Sequence, residues 1–194
     1  MKKLVLAAVL TVASFSALAE DNFVHLQYAL RDTIAGDQGQ TNRQGINFTL
    51  GHNINKNWQV DIGEQFRTEK FNEDNGAGNN TTRFEAGATY TQPLNDTFSV
   101  YTRGALGYKL TANQDHTYFS TETGANIHLI EPLTIRVGYR YRDSFSQEYF
   151  DKTNTVRLGA QYAINKTSFV SAGIDRFYGD SQVMGYNLGY GVRF

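Results

Sequence analysis

Residues Met184 to Phe194 alternate so strictly that they dictate a strand with two unlike faces: Met, Tyr, Leu, Tyr, Val and Phe point one way, and Gly, Asn, Gly, Gly and Arg the other. Side chains of a β-strand point to opposite faces in turn, so this period of two is the signature of a strand between an apolar phase and a polar one. The same alternation recurs along the chain, whereas no stretch beyond Glu20 shows a convincing apolar repeat at spacings of three and four. Strands are expected near 23–31, 43–53, 58–69, 82–92, 97–110, 117–130, 133–142, 153–164, 167–178 and 182–194. Most run to nine residues or more, beyond the usual five or six of a soluble sheet and matching a tilted strand that crosses a bilayer.

A sheet in hydrocarbon cannot leave an edge, because each unpaired backbone group there costs several kcal/mol. The expected fold is therefore all-β, a closed antiparallel up-and-down transmembrane barrel of about ten strands, with strand ten pairing with strand one. Segments 54–57, 93–96, 131–132 and 165–166 read as tight turns, with Pro93 and Pro132 inside them. Segments 32–42, 70–81, 111–116 and 143–152 are longer and polar, with a short connection at 179–181. Short turns on one side and long loops on the other are the usual asymmetry of membrane barrels.

Met1-Lys2-Lys3, the apolar run Leu4 to Val12 and the small residues Ala17 and Ala19 predict a secretory signal peptide over residues 1–19, with the barrel occupying 20–194. Removing Lys2 and Lys3 from the 18 basic residues leaves 16 against 19 acidic ones, a charge near −3 that selects no partner. The absence of cysteine excludes disulfides, thiolate metal sites and a cysteine nucleophile.

The alternation assigns an apolar outer wall, for example Leu26, Ile46, Phe48, Ile62, Phe84, Leu106, Val137, Leu158 and Ile174. Aromatics gather at its margins as expected of interfacial girdles: Trp58, Tyr90, Phe98, Tyr162 and Phe194 at the turn side, and Tyr108, Tyr139, Tyr141 and Tyr178 at the loop side. Glu64 falls on the wall, where a carboxylate is costly, so a bulge at Gly63 is expected to turn it inward, the alternative being a functional acid that faces lipid.

The inner face holds Arg31, Arg67, Arg83, Arg103, Lys109, Arg136, Arg140, Arg142, Arg157 and Arg193 against four acids, Asp61, Glu85, Glu122 and Asp175. Hairpin geometry puts Glu85 opposite Arg103, Glu122 beside Arg140 and Arg142, and Asp175 beside Arg157, so part of this set forms a structural ion-pair network. The unmatched arginines imply water or anions inside, since a buried charge without a partner is strongly disfavoured.

With its alternating strands and terminal Tyr190-Gly191-Val192-Arg193-Phe194, the chain resembles the small outer-membrane barrels of Gram-negative bacteria. That resemblance implies an outer-membrane location among its lipids and lipopolysaccharide, and delivery to the barrel-assembly machinery through Phe194. The opening strand up to Arg31-Asp32-Thr33, the run Arg136-Val137-Gly138-Tyr139-Arg140-Tyr141-Arg142 and the basic interior resemble oligogalacturonate-specific porins, which implies passage of acidic sugars.

A passive channel for small anionic solutes, lined chiefly by Arg136, Arg140, Arg142, Arg157 and Arg103, is the leading expectation, because a ring of guanidinium groups lowers the cost of admitting a carboxylate or phosphate. A barrel enzyme, either a surface protease or a lipid A hydrolase, would have to use Asp115-His116, His52 or His128, and no serine stands at a suggestive spacing from a histidine. A closed structural or adhesive barrel would act through loops such as the polar segment 70–81. No phosphate loop or metal-ligand cluster is present, and the basic residues form no external stripe, so neither a cofactor nor nucleic acid is expected.

Overall fold

The computed structural model describes residues 22–33, 42–70, 80–111, 115–146, 152–178 and 183–194. The expected leader 1–19 and most of loop 70–81 lie outside the described residues. Ten strands follow one another: β1 (Asn22–Thr33), β2 (Asn42–Asn53), β3 (Trp58–Lys70), β4 (Asn80–Pro93), β5 (Phe98–Leu110), β6 (Asp115–Ile130), β7 (Leu133–Ser144), β8 (Thr153–Ala163), β9 (Ser168–Tyr178) and β10 (Val183–Arg193). Each pairs antiparallel with its neighbours in sequence, and β1 pairs with β10 from Phe23↔Arg193 to Thr33↔Val183, closing the barrel.

Burial is inside-out relative to a soluble protein. Leu106 and Leu188 are 63% and 66% exposed, whereas Glu122 is 4% exposed. The polar lumen thus takes the place of a core, and the apolar wall meets lipid. Trp58 and Tyr90, paired in register at the turn side, have ring centroids 5.1 Å apart.

Three tight turns are built alike. Asn55, Asn95 and Asn165 each accept, through Oδ1, from the backbone amides two and three residues later, at 2.7–2.9 Å. An asparagine that closes such a turn on its own backbone fixes the hairpin register at its start. Pro93 is the last residue of β4 rather than part of the turn.

At the loop side β1, β2, β3, β4, β6 and β7 reach one to two residues further than the alternation predicts, because ladder bonds outlast the apolar face. Asp115 and His116 accordingly belong to β6 and not to a loop.

The expected bulge at Gly63 does not form. Gly63 and Glu64 pair in unbroken register with Thr49 and Phe48 on one side and with Glu85 and Phe84 on the other. Glu64 therefore stays on the outer wall between two phenylalanines. Two fully paired neighbours hold β3 throughout, and a slip there would turn every following side chain to the wrong face. Among the described residues a register irregularity falls instead at His128/Ile130, between β6 and β7 beside the Glu131-Pro132 turn.

Candidate functional site

Alternation along ten strands aims the charged residues of the inner face at one another, and they assemble into two ion-pair chains. In the first, Arg103 donates to Asp61 through Nε (3.1 Å) and Nη2 (2.6 Å), and through Nη1 to Glu85 Oε1 at 2.7 Å. Glu85 Oε2 also accepts from Arg140 and, at 3.2 Å, from the Tyr118 hydroxyl. In the second, Arg157 donates to Glu122 Oε2 at 2.6 Å and to Asp175 Oδ1 at 3.1 Å. Glu122 Oε1 accepts from the Tyr101 hydroxyl at 2.8 Å, with Arg136 Nη2 at 3.8 Å and its guanidinium 3.7 Å from the Tyr101 ring centre.

The expected Glu85–Arg103 and Asp175–Arg157 pairs are formed. Glu122 departs from expectation: Arg140 stands opposite it in register but reaches across the lumen to Glu85. Glu122 is already taken by Arg157 and Tyr101, whereas Glu85 has a second oxygen to satisfy.

The glycines beside these networks make room for large side chains. A Cβ on Gly107 would overlap the Tyr118 ring. Gly107→Val is therefore expected to displace Tyr118 from Glu85 and to lower stability by about 1–3 kcal/mol, measurable by denaturant unfolding.

Asp61, Glu85, Glu122 and Asp175 are all engaged in these chains. Toward the loop side lies a second group of cations. Arg31 stacks over Phe177 at 3.8 Å, Arg83 donates to Gln65 at 3.2 Å, and Arg142 donates to Thr153 at 3.1 Å while lying 5.5 Å from the Tyr118 ring. Arg67 is 8% exposed. Arg31 sits in the electrostatic field of Arg67, Arg83 and Arg142, and Asp175 is the acid that reaches it. Among the described residues no carboxylate lies within ion-pairing distance of Arg31 or Arg67.

Lys109 joins this level through its register with Arg83 and His116. Arg43, opposite Arg31, joins it as well. The sequence survey passed over Arg43 because it begins its strand, although the alternation through Gly45 and Asn47 points it inward. Arg193 lies at the other end of the lumen, 5.0 Å over the Phe169 ring.

A cavity of about 540 Å³ runs past both groups. Its lining extends from Phe23, Asn53, Gln59 and Arg193 at the turn end to Arg31, Arg67, Arg142 and Thr153 at the loop end. The wall formed by β1, β2, β9 and β10 contributes neutral groups, including His25, which meets Ser171 at 2.8 Å, and Gln27, which donates to Asn187 at 3.3 Å.

The candidate catalytic histidines are scattered. Register places Asp115 with Leu110 on the outer side and His116 with Lys109 on the inner, so the two do not form a dyad. His52 meets Asn22 and His128 meets Thr134, each at 3.0 Å. Among the described residues no three His, Asp or Glu groups are placed to hold a metal ion.

A family model described as "Outer membrane protein beta-barrel domain" matches residues 5–194. No curated protein matches the sequence. Among solved structures, the NanC porin is similar at 8% identity and a TM-score of 0.55, covering 88% of this chain and 100% of that one. The β domain of the Bordetella autotransporter BrkA is similar at 9% identity and a TM-score of 0.55, over 91% and 100%. The translocator domain of the autotransporter NalP from Neisseria meningitidis is similar at 11% identity and a TM-score of 0.52, over 100% and 98%. At these identities the likeness is one of fold, and the fold serves both porins and translocators.

Proposed function

The chain belongs to the outer membrane protein β-barrel family, and from that premise we propose that it is a porin-like channel of the outer membrane whose basic lumen passes small anionic solutes, acidic oligosaccharides among the candidates. One observation carries this reading: Arg31 and Arg67, which among the described residues have no carboxylate within ion-pairing distance, line the loop-side end of the cavity. Here positive charge is concentrated where a solute arriving through the loops would first meet the lumen, and planar guanidinium groups can hold a carboxylate or phosphate through two parallel bonds.

The Glu85–Arg140 bridge across the lumen favours a second reading, a closed barrel that acts through its loops. Conductance separates the two. Purified protein in a planar bilayer under a salt gradient is expected to give discrete currents whose reversal potential has the sign of anion preference. Absence of current at any density of protein would reject the channel, and cation preference would reject the arginine argument.

A further inference from the structure

The outer wall carries charges of opposite sign at Glu64 and Arg176, in the band that faces lipid. Glu64 is flanked by Phe48 and Phe84. Arg176 is paired in register with Val156 and Met184 and lies 5.3 Å from the Tyr178 ring centre on the same face. Among the described residues neither has a hydrogen bond or an ion pair to a charged partner. Charged groups facing lipid are rare because they are expensive, and they generally pair with one another or mark a function.

The two stand at nearly one depth. The ladder Trp58–Tyr90–Thr102–Thr123–Tyr139–Val156–Arg176 leaves the turn end of β3 and, because tilted strands make it climb, reaches β9 two residues from its loop-side end. Six steps of about 4.8 Å, with strands tilted about 40°, raise Arg176 about 18 Å above Trp58. Six residues of about 3.3 Å along β3 raise Glu64 about 15 Å by the same geometry. Yet β3 and β9 lie on opposite sides of the barrel, so the charges cannot meet within one copy.

We propose that the wall around Glu64 binds the wall around Arg176 of a second copy in the same membrane, a head-to-tail contact in which each charge finds its partner between barrels. The two patches differ, so the contact is heterologous and propagates into a row or a ring. Removal from water makes the pair strong, while the flanking Phe48, Phe84, Val156 and Tyr178 supply the packing on which association in lipid depends.

The chain has no cysteine, so Lys56→Cys in an exposed turn gives a single labelling site. Energy transfer between donor- and acceptor-labelled copies in lipid vesicles, measured against protein density, is expected to exceed that of randomly distributed barrels. E64Q and R176Q should each weaken association roughly tenfold, the loss of a hydrogen-bonded polar pair in lipid, with circular dichroism and single-channel conductance unchanged. E64R and R176E should each abolish transfer alone, an equimolar mixture of the two should restore it, and the double variant E64R/R176E should associate with itself. Three results would overturn the proposal: transfer at the random level in the parent protein, sensitivity to R176Q without sensitivity to E64Q, as expected if Arg176 serves a lipid phosphate, or failure of the mixture to recover transfer.

Discussion

The double substitution Arg31→Gln and Arg67→Gln is expected to lower the ratio of anion to cation permeability by about tenfold or more. A unit charge about 10 Å from a passing ion, at an effective dielectric constant of about 20, is worth about 1.7 kcal/mol. Counter-ions in a water-containing lumen reduce this by roughly half. Losing two such charges therefore raises the free energy of an anion at that level by about 1.7 kcal/mol and lowers that of a cation by as much, which is more than a factor of about ten in the ratio. Arg31 and Arg67 both line the loop-side end of the cavity, and among the described residues neither has a carboxylate within ion-pairing distance. The control is Arg157→Gln with Glu122→Gln, which removes one charge of each sign and should leave the reversal potential near that of the parent. Equal selectivity in all three proteins would assign the loop-side arginines to structure.

Glu122→Gln alone should be the most destabilising of the charge-neutralising substitutions, by about 3–5 kcal/mol. Its carboxylate is 4% exposed and holds Arg157 at 2.6 Å, Arg136 at 3.8 Å and the Tyr101 hydroxyl at 2.8 Å. Taking one charge from a buried pair leaves the other desolvated and uncompensated, which costs far more than the net worth of the intact pair. The double variant with Arg157→Gln should recover part of the loss, because it removes the stranded cation as well. Denaturant unfolding can be followed by the fluorescence of Trp58, the one tryptophan of the chain, on the outer wall at the turn side. A loss below about 1 kcal/mol, the value of an exposed pair, would mean that water fills this part of the lumen freely.

The strands were legible because the constraint on them is local and repetitive: a residue between lipid and lumen must alternate, and Met184 to Phe194 does so over eleven positions. Closure followed from the same chemistry. What failed was the treatment of Glu64, where a rule about single side chains was set against a paired register that extends along all of β3. Arg176, also on the wall, escaped attention because the outer positions were collected by their apolar character.

The lumen was half legible. Glu85–Arg103 and Asp175–Arg157 join neighbouring strands, which a hairpin reading can see. Asp61–Arg103 spans the width of β4, and Glu85–Arg140 joins β4 to β7 across the interior. Partners that meet through the middle of a barrel carry no spacing in the sequence, since their distance depends on the curvature of the whole wall. For the same reason the alternation could count the inward arginines but could not say which would be compensated. That division is what separates the selectivity reading from a purely structural one.

The ladder between β1 and β10 has a kinetic meaning. Asn22 and Phe194 exchange backbone hydrogen bonds at 3.1 and 3.0 Å, a contact between residues more than 170 positions apart. Every other ladder joins strands adjacent in sequence and can zip from a turn, but this one closes the longest loop the fold contains, so its entropic cost falls on the last step. Until residues 183–193 dock on residues 22–33 the sheet has two raw edges and no stable place in hydrocarbon. Insertion and closure are thus obliged to occur together, and a chain arrested before that step is an aggregation hazard rather than a smaller barrel.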